Sequence, residues 1–173
     1  MTYDSTMVIA VLEQKRDYRT PSVSLGLLVY NGETFLREAI ESILAQTYTD
    51  FELIISDNAS TDGTAPICKD YQARDLRIGY HRNEKNIGAA GNFNRVFSLA
   101  RGKYFKWVAH DDVYDKKYLA KCVQILDRHQ SVVLCSTDLA IIDEHGNIVK
   151  ENVDKINTDA ETSHERFRAC SQS

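Results

Sequence analysis

The stretch KYFKWVAHDDVYD, residues 103–115, is an apolar run that ends abruptly in His110, Asp111 and Asp112. Adjacent carboxylates repel each other, so the pair calls for a compensating partner. A hard divalent cation such as Mg²⁺ or Mn²⁺ would supply one, since it takes carboxylate oxygens. A turn leading into a helix is the other explanation, because the helix dipole favours acidic residues there. The pair alone leaves both explanations open.

Two earlier apolar runs end in polar clusters in the same way. VSLGLLVY (23–30) is followed by NGE, and FELIISD (51–57) is followed by NASTDGT. Continuous apolar runs are typical of strands covered on both faces, and helical periodicity separates them. The periodicity predicts a helix capped by Thr34, helices over 64–75, 89–100 and 116–128, strands over 78–82 and 131–137, and a hairpin over 141–149. This alternation predicts an α/β fold with right-handed βαβ units and a mostly parallel sheet.

Ligands of such sheets bind at the carboxyl ends of the strands, where all three polar clusters lie. Tyr30 could stack on a nucleobase, although a strand-end tyrosine with its hydroxyl in water fits equally well. Asp57 could accept hydrogen bonds from a base or a ribose, and the residues after it also suit a turn into a helix. Gly88 opens a helix whose first amides favour phosphate, while a tight turn is the simpler interpretation.

Composition narrows the class of protein. A chain of 173 residues with a net charge of -4 fits one soluble domain and argues against nucleic acid as a partner. The four cysteines show no metal-ligand spacing, which suggests reduced thiols in the cytoplasm. No apolar stretch reaches the roughly 20 residues that span a bilayer. We expect an N-terminal leader over 1–20, the α/β domain over 21–150 and a C-terminal segment over 151–173.

Taken in order, four motifs resemble those of the family 2 glycosyltransferases, which have the Rossmann-like GT-A fold. They are the strand ending in YNGE, the turn DNASTDGT (57–64), the segment NIGAAGNFN with RGKY after it, and WVAHDDVY in place of the DxD region. The resemblance runs from about Ser22 to Val149. Two departures stand out: Ala109 occupies the first DxD position, and Gly91 stands where many relatives have arginine.

The resemblance implies an inverting, metal-assisted enzyme that transfers a sugar from a nucleoside-diphosphate sugar, with UDP expected as the nucleotide. Mn²⁺ or Mg²⁺ is the implied cofactor, with Asp111 as its ligand and Asp112 in support. His110 could replace the ribose contact absent at Ala109. The donor-binding residues implied by position are Tyr30, Asn31, Glu33, Asp57, Gly88, Asn92, His110, Asp111 and Asp112.

The resemblance implies least about how the acceptor is bound and activated. Its catalytic base is expected beyond Ser173, so residues 151–173 would begin a truncated acceptor region. The acceptor would be a saccharide or a lipid-linked hydroxyl of polysaccharide biosynthesis, which leaves peripheral association with the inner face of a membrane open. A catalytically incomplete nucleotide-sugar-binding module, or a fragment of a longer enzyme, is the alternative. A nucleotidylyltransferase is disfavoured because YNGETFLRE lacks a glycine-rich basic phosphate loop.

Overall fold

The computed structural model describes residues 10–11 and 20–151. The strands are β1 (Ala10–Val11), β2 (Val23–Val29), β3 (Phe51–Asp57), β4 (Ile78–Arg82), β5 (Tyr104–Ala109), β6 (Ala140–Ile142) and β7 (Ile148–Glu151). The helices are α1 (Leu36–Leu44), α2 (Thr64–Arg74), α3 (Gly88–Ser98) and α4 (Tyr118–Arg128). Chain contacts divide the protein into two compact units, residues 1–136 and 137–173.

The first unit is built on a sheet in the order β1-β5-β2-β3-β4. The strands β5, β2, β3 and β4 are parallel, and β1 pairs antiparallel with the outer edge of β5. The chain runs outward from β2 to β4 and then returns to place β5 on the other side of β2. The strand order therefore reverses between β2 and β5, and their carboxyl ends open the crevice in which such sheets bind ligands.

The apolar runs form strands because both faces of the sheet are covered. All seven residues of β3 are buried, as are all of β2 except Leu28. One face packs on α1 and α4, whose apolar residues recur at helical spacing, for example Leu36, Ile40 and Ile43 in α1. The opposite face carries Phe105 and the helix α3. Burial of each such side chain contributes about 1.5–3 kcal/mol to folding.

The predicted α/β class and the parallel sheet are confirmed, but two local predictions are wrong. Residues 131–137 form no strand, and Val133 is 67% exposed. The outer edge of β5 is paired instead with β1 at Tyr104 and Phe105, so Ala10–Val11 of the expected leader belong to the sheet. Thr34 caps no helix either, because α1 begins after Phe35 and has no side-chain cap.

The second unit contains the predicted hairpin. Its strands β6 and β7 pair antiparallel, and Gly146 takes a positive φ of 78° in the turn between them. Glycine adopts this conformation without steric cost, which explains its position there. Among the described residues, no helix is long and apolar enough to cross a membrane.

Candidate functional site

The loops after β2 and β5 meet at the point where the strand order reverses. A Cβ atom placed on Gly32 would lie 2.5 Å from Cδ2 of His110, so the two loops are in direct contact. Only a residue without a side chain leaves room for the imidazole at that point. Tyr30, Asp111 and Asp112 flank this contact in the chain, so three of the predicted donor residues belong to one region of the crevice.

The loops after β2 and β3 are tied together through the backbone of the first. The backbone N–H groups of residues 31–33 donate in turn to Ser60 Oγ at 2.9 Å, Thr64 Oγ1 at 3.0 Å and Asp62 Oδ2 at 3.1 Å. Each of these acceptors belongs to the DNASTDGT turn. The hydroxyl and carboxylate groups of this motif are therefore used to align two strand ends.

Side chains of the loop after β2 also accept hydrogen bonds from backbone N–H groups of the loop after β3. Asn31 Oδ1 accepts a hydrogen bond from Thr61 N at 2.8 Å, and Glu33 Oε2 accepts one from Gly63 N at 2.5 Å. Asn31 also holds a left-handed φ of 52°, which asparagine tolerates better than most residues. The polar groups of Asn31 and Glu33 thus contact protein, and their predicted contact with a donor stays a prediction.

Asp57 lies at the end of β3 with its side chain fully buried. Its Oδ1 accepts from Ser60 N at 2.8 Å, while its Oδ2 accepts from Tyr80 OH at 2.8 Å and from Arg82 Nη1 at 3.2 Å. Burial, together with the hydrogen bond to Asp57, raises the pKa of Tyr80. Its Oδ2 therefore holds the end of β3 against β4, while its Oδ1 fixes the loop that follows β3.

A network of amide side chains fixes the start of α3. Asn92 is 3% exposed; it accepts from Ser56 Oγ at 2.6 Å and from Asn83 Nδ2 at 3.1 Å, and donates to Ser56 O at 2.9 Å. Asn83 Nδ2 also donates to Asn58 Oδ1 at 2.9 Å. Asn92 was predicted to bind the donor; its side chain belongs to this buried network, and its contact with a donor stays a prediction.

Gly88, in contrast, lies at the surface. It begins α3 with a φ of 76°, and no atom lies within 4 Å of the position that a Cβ would take. The N-cap residue Ile87 offers no side-chain cap, although the N–H of Gly88 donates to Asn86 Oδ1 at 2.8 Å and that of Ile87 to Asn58 Oδ1 at 2.9 Å. Such a helix N-terminus is favourable for an anion.

The three residues best placed to meet a ligand are Tyr30, His110 and Asp111. Tyr30 is 48% exposed at the end of β2, which leaves its ring available for stacking. His110 is partly exposed and Asp111 exposed, both directly after β5. Ala109, the departure from the DxD pattern, is the last residue of β5 and pairs with Leu28.

The two aspartates differ in environment. Asp112 is half-buried, and Tyr114 OH donates to its Oδ2 over 3.4 Å. Burial and the negative charge of Asp111 raise the pKa of Asp112, while the positive charge of Lys106 acts in the opposite direction. The predicted repulsion is therefore present, and a bound cation would relieve it.

These residues fit a hard divalent cation that also binds a ligand. Carboxylate oxygens are the donors that Mg²⁺ and Mn²⁺ prefer. Within residues 10–11 and 20–151, no group of three or more histidine, cysteine, aspartate or glutamate side chains could hold a metal by itself. An ion at Asp111 would consequently complete its coordination with ligand oxygens and water, as Mg²⁺ commonly does.

Sequence reasoning missed two charged residues beside the site. Arg82, at the end of β4, donates both to Asp57 and, through Nη2, to Ser60 O at 2.6 Å. Lys106 is 4% exposed in the middle of β5. For Lys106, the sequence signal was a lysine inside an otherwise apolar strand, at a position where alternation predicts a core residue.

Comparison with known proteins identifies the class of site. A family model described as glycosyl transferase family 2 matches residues 24–170, most of the chain. The chain belongs to this family, as its motifs led us to expect.

Individual relatives agree with the family assignment. The chain is 38% identical over 133 residues to an uncharacterized glycosyltransferase of Methanocaldococcus jannaschii, covering 76% of this chain and 46% of that protein. It is 39% identical over 127 residues to EpsE of Bacillus subtilis, a protein named as a glycosyltransferase, covering 73% and 46% respectively. The chain thus spans about half the length of the curated relatives it matches.

Solved structures with the same fold include complexes with nucleotides. TarS 1–349 of S. aureus in complex with UDP shows a TM-score of 0.59 at 27% identity, covering 63% of this chain and 33% of that one. The same protein has been solved with UDP-GlcNAc. A mannosyltransferase of Pyrobaculum calidifontis, solved with GDP-Man and Mn²⁺, has a TM-score of 0.57 at 23% identity and shares the fold.

Proposed function

We propose that this chain forms the donor-binding part of an inverting glycosyltransferase, which binds a nucleoside-diphosphate sugar with a divalent cation, Mn²⁺ or Mg²⁺. UDP is the proposed nucleotide, and a hydroxyl of a saccharide or lipid-linked molecule is the proposed acceptor. A lipid-linked acceptor would bring the protein to a membrane surface as a peripheral partner.

The observation that carries this proposal is the position of Tyr30, His110 and Asp111 on touching loops at the reversal of strand order. An exposed ring for a base and an exposed carboxylate for a cation are the two groups that a nucleoside diphosphate requires. Membership of the family and the complex of TarS with UDP support the choice of ligand.

In the proposed complex, the Tyr30 ring lies against the base and the N-terminus of α3 at Gly88 faces negative charge of the donor. Asn31 and Glu33 tie the loops after β2 and β3 together, which keeps the end of β2 with Tyr30 in place before the donor arrives and limits the entropy lost on binding. A divalent cation at Asp111 would supply positive charge that stabilises the leaving diphosphate.

Transfer with inversion requires the acceptor oxygen to attack the anomeric carbon on the side opposite the departing diphosphate. A carboxylate base that takes the acceptor proton would serve this step. We assign no such base within the described residues. Because the chain spans about half the length of its relatives, a donor-binding module or a fragment of a longer enzyme is the second candidate function.

Isothermal titration calorimetry tests the donor site with UDP, GDP and dTDP, each with and without Mn²⁺. We expect UDP to bind most tightly and Mn²⁺ to strengthen its binding. Asp111→Asn should abolish the effect of Mn²⁺, because it removes the exposed carboxylate. Asp70→Asn is the matched control, since it makes the same charge change on α2. Equal UDP affinity with and without Mn²⁺ in the unchanged chain would contradict the proposal.

Hydrolysis of UDP-sugars then separates an enzyme from a binding module. Release of UDP from a donor that binds with Mn²⁺ would show that this chain carries out bond cleavage. Tight binding without hydrolysis or transfer, in this chain and in a longer one, would favour the module.

A further inference from the structure

Lys106 is a buried lysine of β5, the strand that leads directly into His110, Asp111 and Asp112. It is 4% exposed in β5 and lines a small cavity together with Leu25, Ile43 and Val108. Lysine is almost never fully buried, because removal of an ammonium group from water is costly. Those apolar neighbours would accommodate a methionine with less loss of solvation. The charge of Lys106 is therefore expected to serve a purpose other than packing.

Aromatic rings connect Lys106 to the acidic pair. Its Nζ lies 5.4 Å from the ring centroid of Tyr114 and 5.2 Å from that of Tyr118, within the range of cation–π attraction. The hydroxyl of Tyr114 is the group that donates to Asp112 Oδ2. Tyr114 thus contacts the ammonium through its face and the carboxylate through its hydroxyl.

The charges of Lys106 and Asp112 also act on each other. Burial lowers the pKa of Lys106 to about 8, and the negative charge of Asp112 is the largest influence that opposes this decrease. In return, the charge of Lys106 lowers the pKa of Asp112 against the effects of burial and of Asp111. The opposite charges of Lys106 and Asp112 thus both contact Tyr114, one at its ring and the other at its hydroxyl.

We propose that Lys106 is a positioning residue that holds the Asp112 carboxylate inward and offsets its charge, so that Asp111 alone is presented to the divalent cation. The acidic pair then carries less net negative charge than two free carboxylates would, and its affinity for a cation is correspondingly lower. A weaker cation site allows the metal to enter and leave with the nucleotide. This inference rests on the proposed function, because it assumes that a cation binds at Asp111.

Direct titration with Mn²⁺ alone, followed by electron paramagnetic resonance of the free ion, tests the role of Lys106. Lys106→Met removes the charge and should tighten Mn²⁺ binding by about tenfold, the size expected for charges several ångströms apart near a protein surface. Lys106→Arg keeps the charge and should bind Mn²⁺ like the unchanged chain. Lys121→Met, an exposed lysine of α4, is the control for a change in net charge.

A double-mutant cycle shows whether Lys106 acts through Asp112. In a chain that carries Asp112→Asn, the additional change Lys106→Met should lose most of its effect on Mn²⁺ affinity, because no carboxylate remains to be released. A purely structural lysine would alter the melting temperature without this coupling. Lys106→Gln gives the same comparison if the methionine variant does not fold.

The outcomes are distinguishable from failure of the proposed function. If the unchanged chain does not bind Mn²⁺ at Asp111, the cation site itself is wrong. If it binds Mn²⁺ and Lys106→Met leaves the affinity unchanged or weakens it, the positioning role is wrong. An equal gain in affinity with Asp112 and with asparagine at that position would also overturn the inference.

Discussion

Replacement of Lys106 by methionine is expected to stabilise the folded chain at neutral pH in the absence of metal. The pKa of Lys106 is about 8 in the folded state, against 10.5 in an open chain. That difference corresponds to about 3 kcal/mol of folding free energy lost by burying the charge. Methionine avoids this loss and keeps a side chain of similar length. The variant should therefore unfold at a higher urea concentration.

The sign of the pH dependence gives the sharper test. Below about pH 8 the lysine is protonated in both folded and unfolded states, so the unchanged chain bears the full penalty. Between about pH 8 and 10.5 the folded state releases its proton while the unfolded state still binds one, so the stability of the unchanged chain rises relative to the variant. Cys122, whose pKa burial raises to about 12, stays a neutral thiol in this range.

Urea denaturation of both proteins, followed by the fluorescence of Trp107, the only tryptophan, measures the difference at neutral pH and near the upper end of that range. Comparing the two proteins cancels the contributions of tyrosines that titrate in the same region. Lys121→Met serves as the control for a surface lysine. A difference in stability that stays constant with pH, or a methionine variant that is less stable at neutral pH, would refute the reasoning.

Three further predictions use the same denaturation measurement. Tyr80→Phe should lose about 1–2 kcal/mol, because it leaves an oxygen of buried Asp57 without its hydroxyl donor; an unchanged midpoint would show that this bond is dispensable. Gly102→Ala should lose about 1–3 kcal/mol, since its Cβ would lie 2.6 Å from the backbone nitrogen of Ser24. Asp112→Asn should be more stable than the unchanged chain at neutral pH, because it removes a half-buried charge. This gain in stability should vanish in acid, because the raised pKa lets Asp112 protonate in the folded state at a higher pH than in the unfolded state.

Most of the fold could be predicted from the sequence. The apolar runs that became β2 and β3 fill their strands with buried residues, so each run is interpretable without knowledge of its neighbours. Helix ends were less certain: α4 begins at Tyr118, two residues after the predicted start at Lys116. The segment 131–137 shows the limit of this approach. Its composition favours a strand, but a strand also requires pairing with a neighbouring strand, which the composition of a segment does not reveal.

The site was predictable as a location but not residue by residue. Polar clusters at strand ends indicated the crevice, since parallel strands bring their carboxyl ends to one edge. Asp57 and Asn92 were predicted to contact the donor; the structure shows both in hydrogen-bond networks within the protein, and their contact with a donor stays a prediction. A polar residue at a strand end can bind a ligand or a neighbouring loop, and the residue type is the same in both cases.

The sequence by itself determined the α/β class, the family and the acidic pair, because local periodicity and short motifs are properties of neighbouring residues. The resemblance to the family already gave Asp111 the metal and Asp112 a supporting role, and the tertiary structure supplied the physical difference between them. Asp111 is exposed, whereas Asp112 is half-buried, and burial raises the pKa of Asp112 against the opposing charge of Lys106. Burial and electrostatic coupling depend on what surrounds a group in space, and no linear pattern of residues specifies these surroundings.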